Sequence, residues 1–258
     1  MSLAFPQPDL PFALLCLTVV IAGVARGLSG FGTGLVVAPV AAALYGPQVA
    51  VPMLVVLDSL PTIPMTLPAM RVARWSEVLP VLLGLALFLP AGVFILSHAE
   101  AGLLRWTISI AVLASAAILA TGWRYRGPRD PSVSFGVGGF AGLLSGIASI
   151  PGPPVIFYWM ASDMGAAIVR ANLLTLFLLS ECLSIVSFWV AGLFDGEVVG
   201  LGLAAIPPYF AGLLAGARLH GMATEATFRR LTLGLVVLSG LLALPPAGEA
   251  LRRALGQI

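Results

Sequence analysis

The sequence predicts an all-α integral membrane protein of two inverted repeats, with eight to ten membrane crossings that include two pairs of short, broken helices. Three observations carry this. Charged residues make up only 9% of the chain and hydrophobic ones 59%, whereas a soluble domain carries about a quarter charged residues to clothe its surface. Several apolar runs reach about 18 residues, the length that spans a hydrocarbon core of about 30 Å. The second half of the chain also repeats the pattern of the first.

Apolar segments fall at about 11–27, 31–45, 48–69, 78–97 and 102–123, then at 133–148, 151–162, 167–194, 198–217 and 230–246. Two neighbouring pairs are short and interrupted. Ser29-Gly30-Phe31-Gly32-Thr33-Gly34 splits the first pair and Ser149-Ile150-Pro151-Gly152-Pro153-Pro154 the second. Glycine weakens a helix and proline removes a backbone donor, so both clusters read as breaks. Such interrupted segments in corresponding halves are the best sequence pointer to a carrier's binding site.

The halves align in order. Ile21 to Leu28 matches Phe140 to Ile147, Gly46 matches Gly165, Ala91-Gly92 matches Ala211-Gly212, and Arg105-Trp106-Thr107 matches Arg230-Leu231-Thr232. Residues 1–123 form the first repeat, 124–131 a cytoplasmic linker, and 132–258 the second repeat. Basic loops stay on the cytoplasmic side, which places Arg71/Arg74, the linker arginines and the stretch from Arg218 to Arg230 inside. His98/Glu100 and Asp195/Glu197 then lie outside. Equivalent loops of the two halves thus fall on opposite sides, which is the signature of inversion. Both termini lie outside on this reading; Arg252-Arg253 runs against it, and either a terminal helix along the surface or a different topology would explain that pair. Trp75, Trp106, Trp123 and Trp189 sit near segment ends, as an interfacial aromatic belt requires. Met1 to Phe5 carries no basic residue of a cleavable leader.

Ionisable groups inside a membrane are costly and so are candidates for function. Arg26 precedes the first break, Asp58 and Glu181 sit at comparable depth in equivalent spans, and Arg170 opens the later span with Asn172 close behind. Two broken helices would offer unpaired N–H groups and positive dipole ends to an anion. Candidate ligands are Arg26, Ser29, Gly30, Gly32, Thr33, Gly34, Ser149, Gly152, Arg170 and Asn172. Asp58 and Glu181 are candidate proton carriers, since a carboxylate's charge is expensive in lipid. A plainer reading pairs Arg26 with Asp58 as a structural ion pair and lets Arg170 reach the headgroups.

Other classes find little support. A net charge of +2 does not argue for nucleic acid. Every cation is arginine, which makes forked contacts to oxyanions. Cys16 and Cys182 lie in apolar runs and read as small buried hydrophobes. No Cys/His metal spacing, nucleotide loop or dinucleotide fingerprint is present, so neither metal nor cofactor is expected. Gly27-Leu28-Ser29-Gly30 matches an intramembrane serine-hydrolase pattern, yet both histidines fall in loops and the second-half counterpart of Ser29 is Ala148. The chain is expected not to be an enzyme; its partners are a small anion and the lipid bilayer.

Gly23-x-x-x-Gly27-x-Ser29-Gly30-Phe31-Gly32-Thr33-Gly34, Pro39, and a diverged second copy from Gly138 to Pro154 resemble the TauE/SafE family of sulfite exporters. The resemblance covers nearly the whole chain. It implies a multi-pass inner-membrane carrier that moves small sulfur-containing anions, such as sulfite or organosulfonates, usually outward. Family members commonly carry a run of glycines in the second copy, where this chain has Ile150-Pro151-Gly152-Pro153-Pro154 and so loses two amide donors. An uptake carrier for another small anion, such as a carboxylate, is the alternative.

Overall fold

A computed structural model describes residues 4–29, 32–123, 125–160, 162–219 and 225–254. Among these, every regular element is an α-helix: α1 (Leu10–Ser29), α2 (Thr33–Tyr45), α3 (Pro47–Ala69), α4 (Trp75–His98), α5 (Ala101–Thr121), α6 (Pro131–Ala148), α7 (Gly152–Trp159), α8 (Ala166–Val190), α9 (Gly196–Leu219), α10 (Glu225–Leu242) and α11 (Pro245–Ala254). Of these, α1, α4, α5, α6, α8 and α9 are long and apolar enough to cross a membrane. Leu83, Leu87 and Val190 are 62%, 65% and 80% exposed, apolar side chains of the kind a lipid-facing surface carries.

Helix ends follow local chemistry. Asp9, Asp130 and Asp195 accept the backbone N–H of Phe12 (2.9 Å), Val133 (2.9 Å) and Val198 (2.8 Å), capping α1, α6 and α9. The Ser132 hydroxyl and the Val133 amide hold the exposed Asp130 carboxyl below the usual carboxylate range. Gly46, at φ 86°, turns the chain between α2 and α3, and Pro47 starts α3 where its missing N–H costs nothing.

Both predicted breaks are present. α1 stops at Ser29 and α2 starts at Thr33 after Gly32, whose φ of 112° only glycine adopts readily. α6 stops at Ala148, Ser149 takes a left-handed conformation at φ 54°, and α7 starts at Gly152. At 1.5 Å per residue, α2 and α7 are about 20 and 12 Å long, too short to span a bilayer.

Donors from elsewhere tie down both short helices. Pro39 inside α2 lacks the N–H that would bond the Leu35 carbonyl, and the Ser239 hydroxyl on α10 lies 3.1 Å from it, sharing its proton between that oxygen and the Val236 carbonyl at 2.9 Å. The buried Arg105 on α5 donates its Nε to the Ala42 carbonyl at 3.2 Å, a cation at the negative end of α2. For α7 the Tyr125 amide bonds the Phe157 carbonyl at 3.3 Å. Each short helix is thus held at its far end, with its N-terminus at a break.

The main packing crosses between halves. α1 lies along α9, and α4 lies along α6. Under the repeat alignment α1 corresponds to α6 and α4 to α9, so one pairing is the image of the other; α3 packs on its own counterpart, α8. Glycines set both long seams. A Cβ at Gly23 would meet the Tyr209 carbonyl at 2.5 Å, and one at Gly212 would strike the Val20 carbonyl. On the other seam a Cβ at Gly92 would meet the Leu143 carbonyl at 2.5 Å, and one at Gly146 the Leu89 carbonyl at 2.6 Å. Backbone therefore lies on backbone, the close approach that small residues permit in lipid.

Candidate functional site

The two breaks meet at one cavity of about 70 Å³. Gly32 to Leu35 enter it from the start of α2, Ser149 to Pro153 from the start of α7, Arg26 from α1, Leu54, Val55 and Asp58 from α3, Ser145 from α6, and Phe177, Ser180, Glu181 and Ser184 from α8. A water needs about 10–15 Å³ on this measure, so the space suits a few waters or one small oxyanion. The breaks touch directly: a Cβ on Gly34 would collide with the Ser149 carbonyl.

A closed polar circuit forms one wall. Arg26 Nη1 donates to Asp58 Oδ2 at 2.5 Å and, more weakly, to Thr33 Oγ1 at 3.4 Å. The Tyr209 hydroxyl donates to Asp58 Oδ1 and lies 2.9 Å from Thr33 Oγ1. Because Tyr209 spends its only proton on Asp58, Thr33 must donate to Tyr209. Both oxygens of Asp58 are therefore satisfied, as a buried charge demands. Arg26 Nη2 reaches outward, 4.0 Å from Glu181 Oε1. On the far wall the Ser145 hydroxyl lies 3.3 Å from that of Ser180 and 3.4 Å from that of Ser184.

The two helix starts differ in capacity. At α2 the amides of Thr33, Gly34 and Leu35 precede the first intrahelical bond, from Val36 N–H to the Gly32 carbonyl at 3.2 Å. At α7, Pro153 and Pro154 offer no N–H. An anion in the cavity would thus draw its backbone donors chiefly from α2, and its countercharge from Arg26.

The predicted ligands divide. Arg26, Gly32, Thr33, Gly34, Ser149 and Gly152 line the cavity, as do Asp58 and Glu181. The Ser149 hydroxyl, expected to face an anion, instead donates to the Val51 carbonyl of α3 at 3.1 Å. Two of the predicted ligands do not line the cavity. Arg170 is exposed on α8 and away from the cavity. Asn172 is buried but accepts the Arg74 amide at 2.7 Å, which clamps the α3–α4 turn to α8. Both lie near the start of α8, two turns or more before the level of Glu181. Ser29 ends α1 and Gly30 lies outside the described residues.

Replacing Asn172 with alanine is expected to lower the melting temperature, for a loss of about 1 kcal/mol, and to leave substrate affinity unchanged. Arg170→Ala should alter neither. A thermal melt with and without substrate reads both variants.

Tyr209, Ser145, Ser180 and Phe177 were not anticipated as site residues. A phenol within the apolar run 198–217 is itself a signal, because a buried hydroxyl needs a partner. Ser180 and Ser184, one turn apart beside Glu181, form a polar stripe of the same kind.

The model of the family described as "Sulfite exporter TauE/SafE" matches residues 15–243. A curated relative from Cupriavidus necator (strain ATCC 17699 / DSM 428 / KCTC 22496 / NCIMB 10442 / H16 / Stanier 337), named probable sulfite/organosulfonate exporter TauE, is 28% identical over 230 residues; the match covers 86% of this chain and 90% of that protein. No solved structure matches the chain. The membrane-length helices and a family match running from α1 to the end of α10 agree: this is a multi-pass membrane protein that belongs to the sulfite exporter TauE/SafE family.

Proposed function

We infer that the protein is a secondary carrier that exports a small sulfur oxyanion or organosulfonate, bound in the cavity between the two helix breaks. The observation that carries this is the convergence of Arg26 and the first amides of α2, those of Thr33, Gly34 and Leu35, on a space of about 70 Å³. A guanidinium and a helix N-terminus are both anion donors, and the space suits a small oxyanion head group. Family membership and the relative's name support the same substrate class.

No nucleotide motor is needed for the outward direction. With the inside negative, a monoanion leaves downhill by about 2.3 kcal/mol per 100 mV. Arg71, Arg74 and the linker 124–131 face the cytoplasm on this reading, and the two halves are inverted repeats; the reciprocal α1–α9 and α4–α6 packing supports that relation. The same seams alter the expected motion. One repeat cannot rock against the other without parting α1 from α9 and α4 from α6. Movement instead divides α1/α9 from α4/α6 as two composite bodies, which hinge about the contact of α3 with α8.

The test is purified protein in liposomes, loaded in turn with sulfite, an alkanesulfonate or acetate, under an imposed membrane potential. Efflux of the sulfur anions, and weak efflux of acetate, is expected. Preferential acetate movement would replace this reading with the carboxylate one.

A further inference from the structure

Two buried carboxyl groups share one guanidinium, and the structure treats them differently. Asp58 has a donor on each oxygen, Arg26 on Oδ2 and Tyr209 on Oδ1. Glu181 has neither oxygen so placed: Oε1 is 4.0 Å from Arg26 Nη2, and Oε2 is buried without a hydrogen-bond partner while the side chain lines the cavity. A buried ionised oxygen with no donor carries the full cost of desolvation. A carboxylic acid in the same place has an O–H to give: Asp58 lies within hydrogen-bond reach of it in the empty cavity, and an entering anion offers a second acceptor.

Charge counting points the same way. With both carboxyls ionised the cluster is already net negative, and an entering anion would double that charge. With Glu181 neutral, Arg26 and Asp58 cancel, and the anion meets α2 amides, the outward Nη2 of Arg26 and one acid O–H. Few other groups compete for the role. Facing Glu181 are Arg26 from α1 and Asp58 from α3, with Tyr209 of α9 behind Asp58. The α6 and α7 lining (Ser145, Pro151, Gly152, Pro153) is neutral, and α4, which also packs on α8, has ionisable groups only at its ends, Glu77 and His98.

We propose that Glu181 is a protonated ligand of the transported anion: its carboxyl is neutral whenever the cavity is filled and donates its O–H to a substrate oxygen, while Asp58 stays ionised between Arg26 and Tyr209. This rests on the reading that the anion occupies the cavity. It follows that anion binding takes up a proton wherever Glu181 is ionised in the empty carrier, so apparent affinity falls up to tenfold per pH unit in that range.

The experiment titrates purified protein with methanesulfonate, whose own charge does not change with pH, across a series of buffers. Wild type is expected to weaken as pH rises. Glu181→Gln, whose amide is neutral and still donates, should bind with a pH-independent Kd near the wild-type value at low pH. Asp58→Asn should not flatten the profile. Proton uptake on methanesulfonate addition, read in weakly buffered wild-type protein, gives the same answer without a variant. A pH-independent wild type with no proton uptake overturns the proposal, as does a profile flattened by Asp58→Asn and not by Glu181→Gln. Wild type that binds no sulfonate at any pH removes the substrate site itself, a different failure from either of these.

Discussion

Gly142→Leu is expected to abolish the folded protein: extracted in mild detergent, the variant should elute as aggregate where wild type gives a single peak. A Cβ at Gly142 would strike the Leu85 carbonyl and lie 2.9 Å from Leu85 Cα and 3.0 Å from Leu89 N. Every one of these atoms is backbone, so no rotamer change relieves the clash. α4 and α6 would have to separate, and the neighbouring approaches at Gly138 and Gly146 would be lost together. Overpacking against adaptable side chains costs about 1–3 kcal/mol; against a rigid helix the penalty lies at the top of that range or above it. Gly142→Ala should be intermediate. Gly136, on the same helix with nothing within 4 Å of its would-be Cβ, is the control. Gly136→Leu is expected to fold normally, with a gain of about 0.5–1 kcal/mol from helix propensity.

The second large effect is at Arg26. Arg26→Ala should eliminate sulfur-anion efflux and also lower stability, because removing one partner of a buried ion pair strands the other at a cost of about 3–5 kcal/mol. The two consequences can be separated. Asp58→Asn in the Arg26→Ala background removes the stranded charge, and Tyr209 can still donate to the amide oxygen. Melting temperature should recover substantially in the double variant, since residues in direct contact do not act additively. Efflux should not recover. If it does, Arg26 exists to neutralise Asp58, and the anion takes its countercharge from elsewhere.

Much of the architecture was readable from residue types because its causes are local. Gly32 and the run Pro151 to Pro154 interrupt helices by covalent geometry, whatever surrounds them, and the breaks appear there. The Arg26–Asp58 pair was foreseeable since two charges in lipid seek each other. Arg170 and Asn172 lie apart from the cavity for a rotational reason. Being near the start of a span says nothing about which face of the helix a residue takes or how deep it sits, and α8 turns Arg170 outward while lending Asn172 to the α3–α4 turn. Tyr209 stayed hidden because its partner, Asp58, is 151 residues away, a distance no periodicity bridges. The Ser239 hydroxyl on the Pro39-freed carbonyl of Leu35 is equally non-local: proline announces the need for a donor but not where it comes from.

The glycine seams also bear on how such a chain arises and assembles. Each half, released alone, would show lipid two grooved faces cut for a partner it lacks. Severing the polypeptide within 124–131 should therefore yield fragments that are unstable singly yet find one another when made together, as interlocking pieces rather than as separate domains.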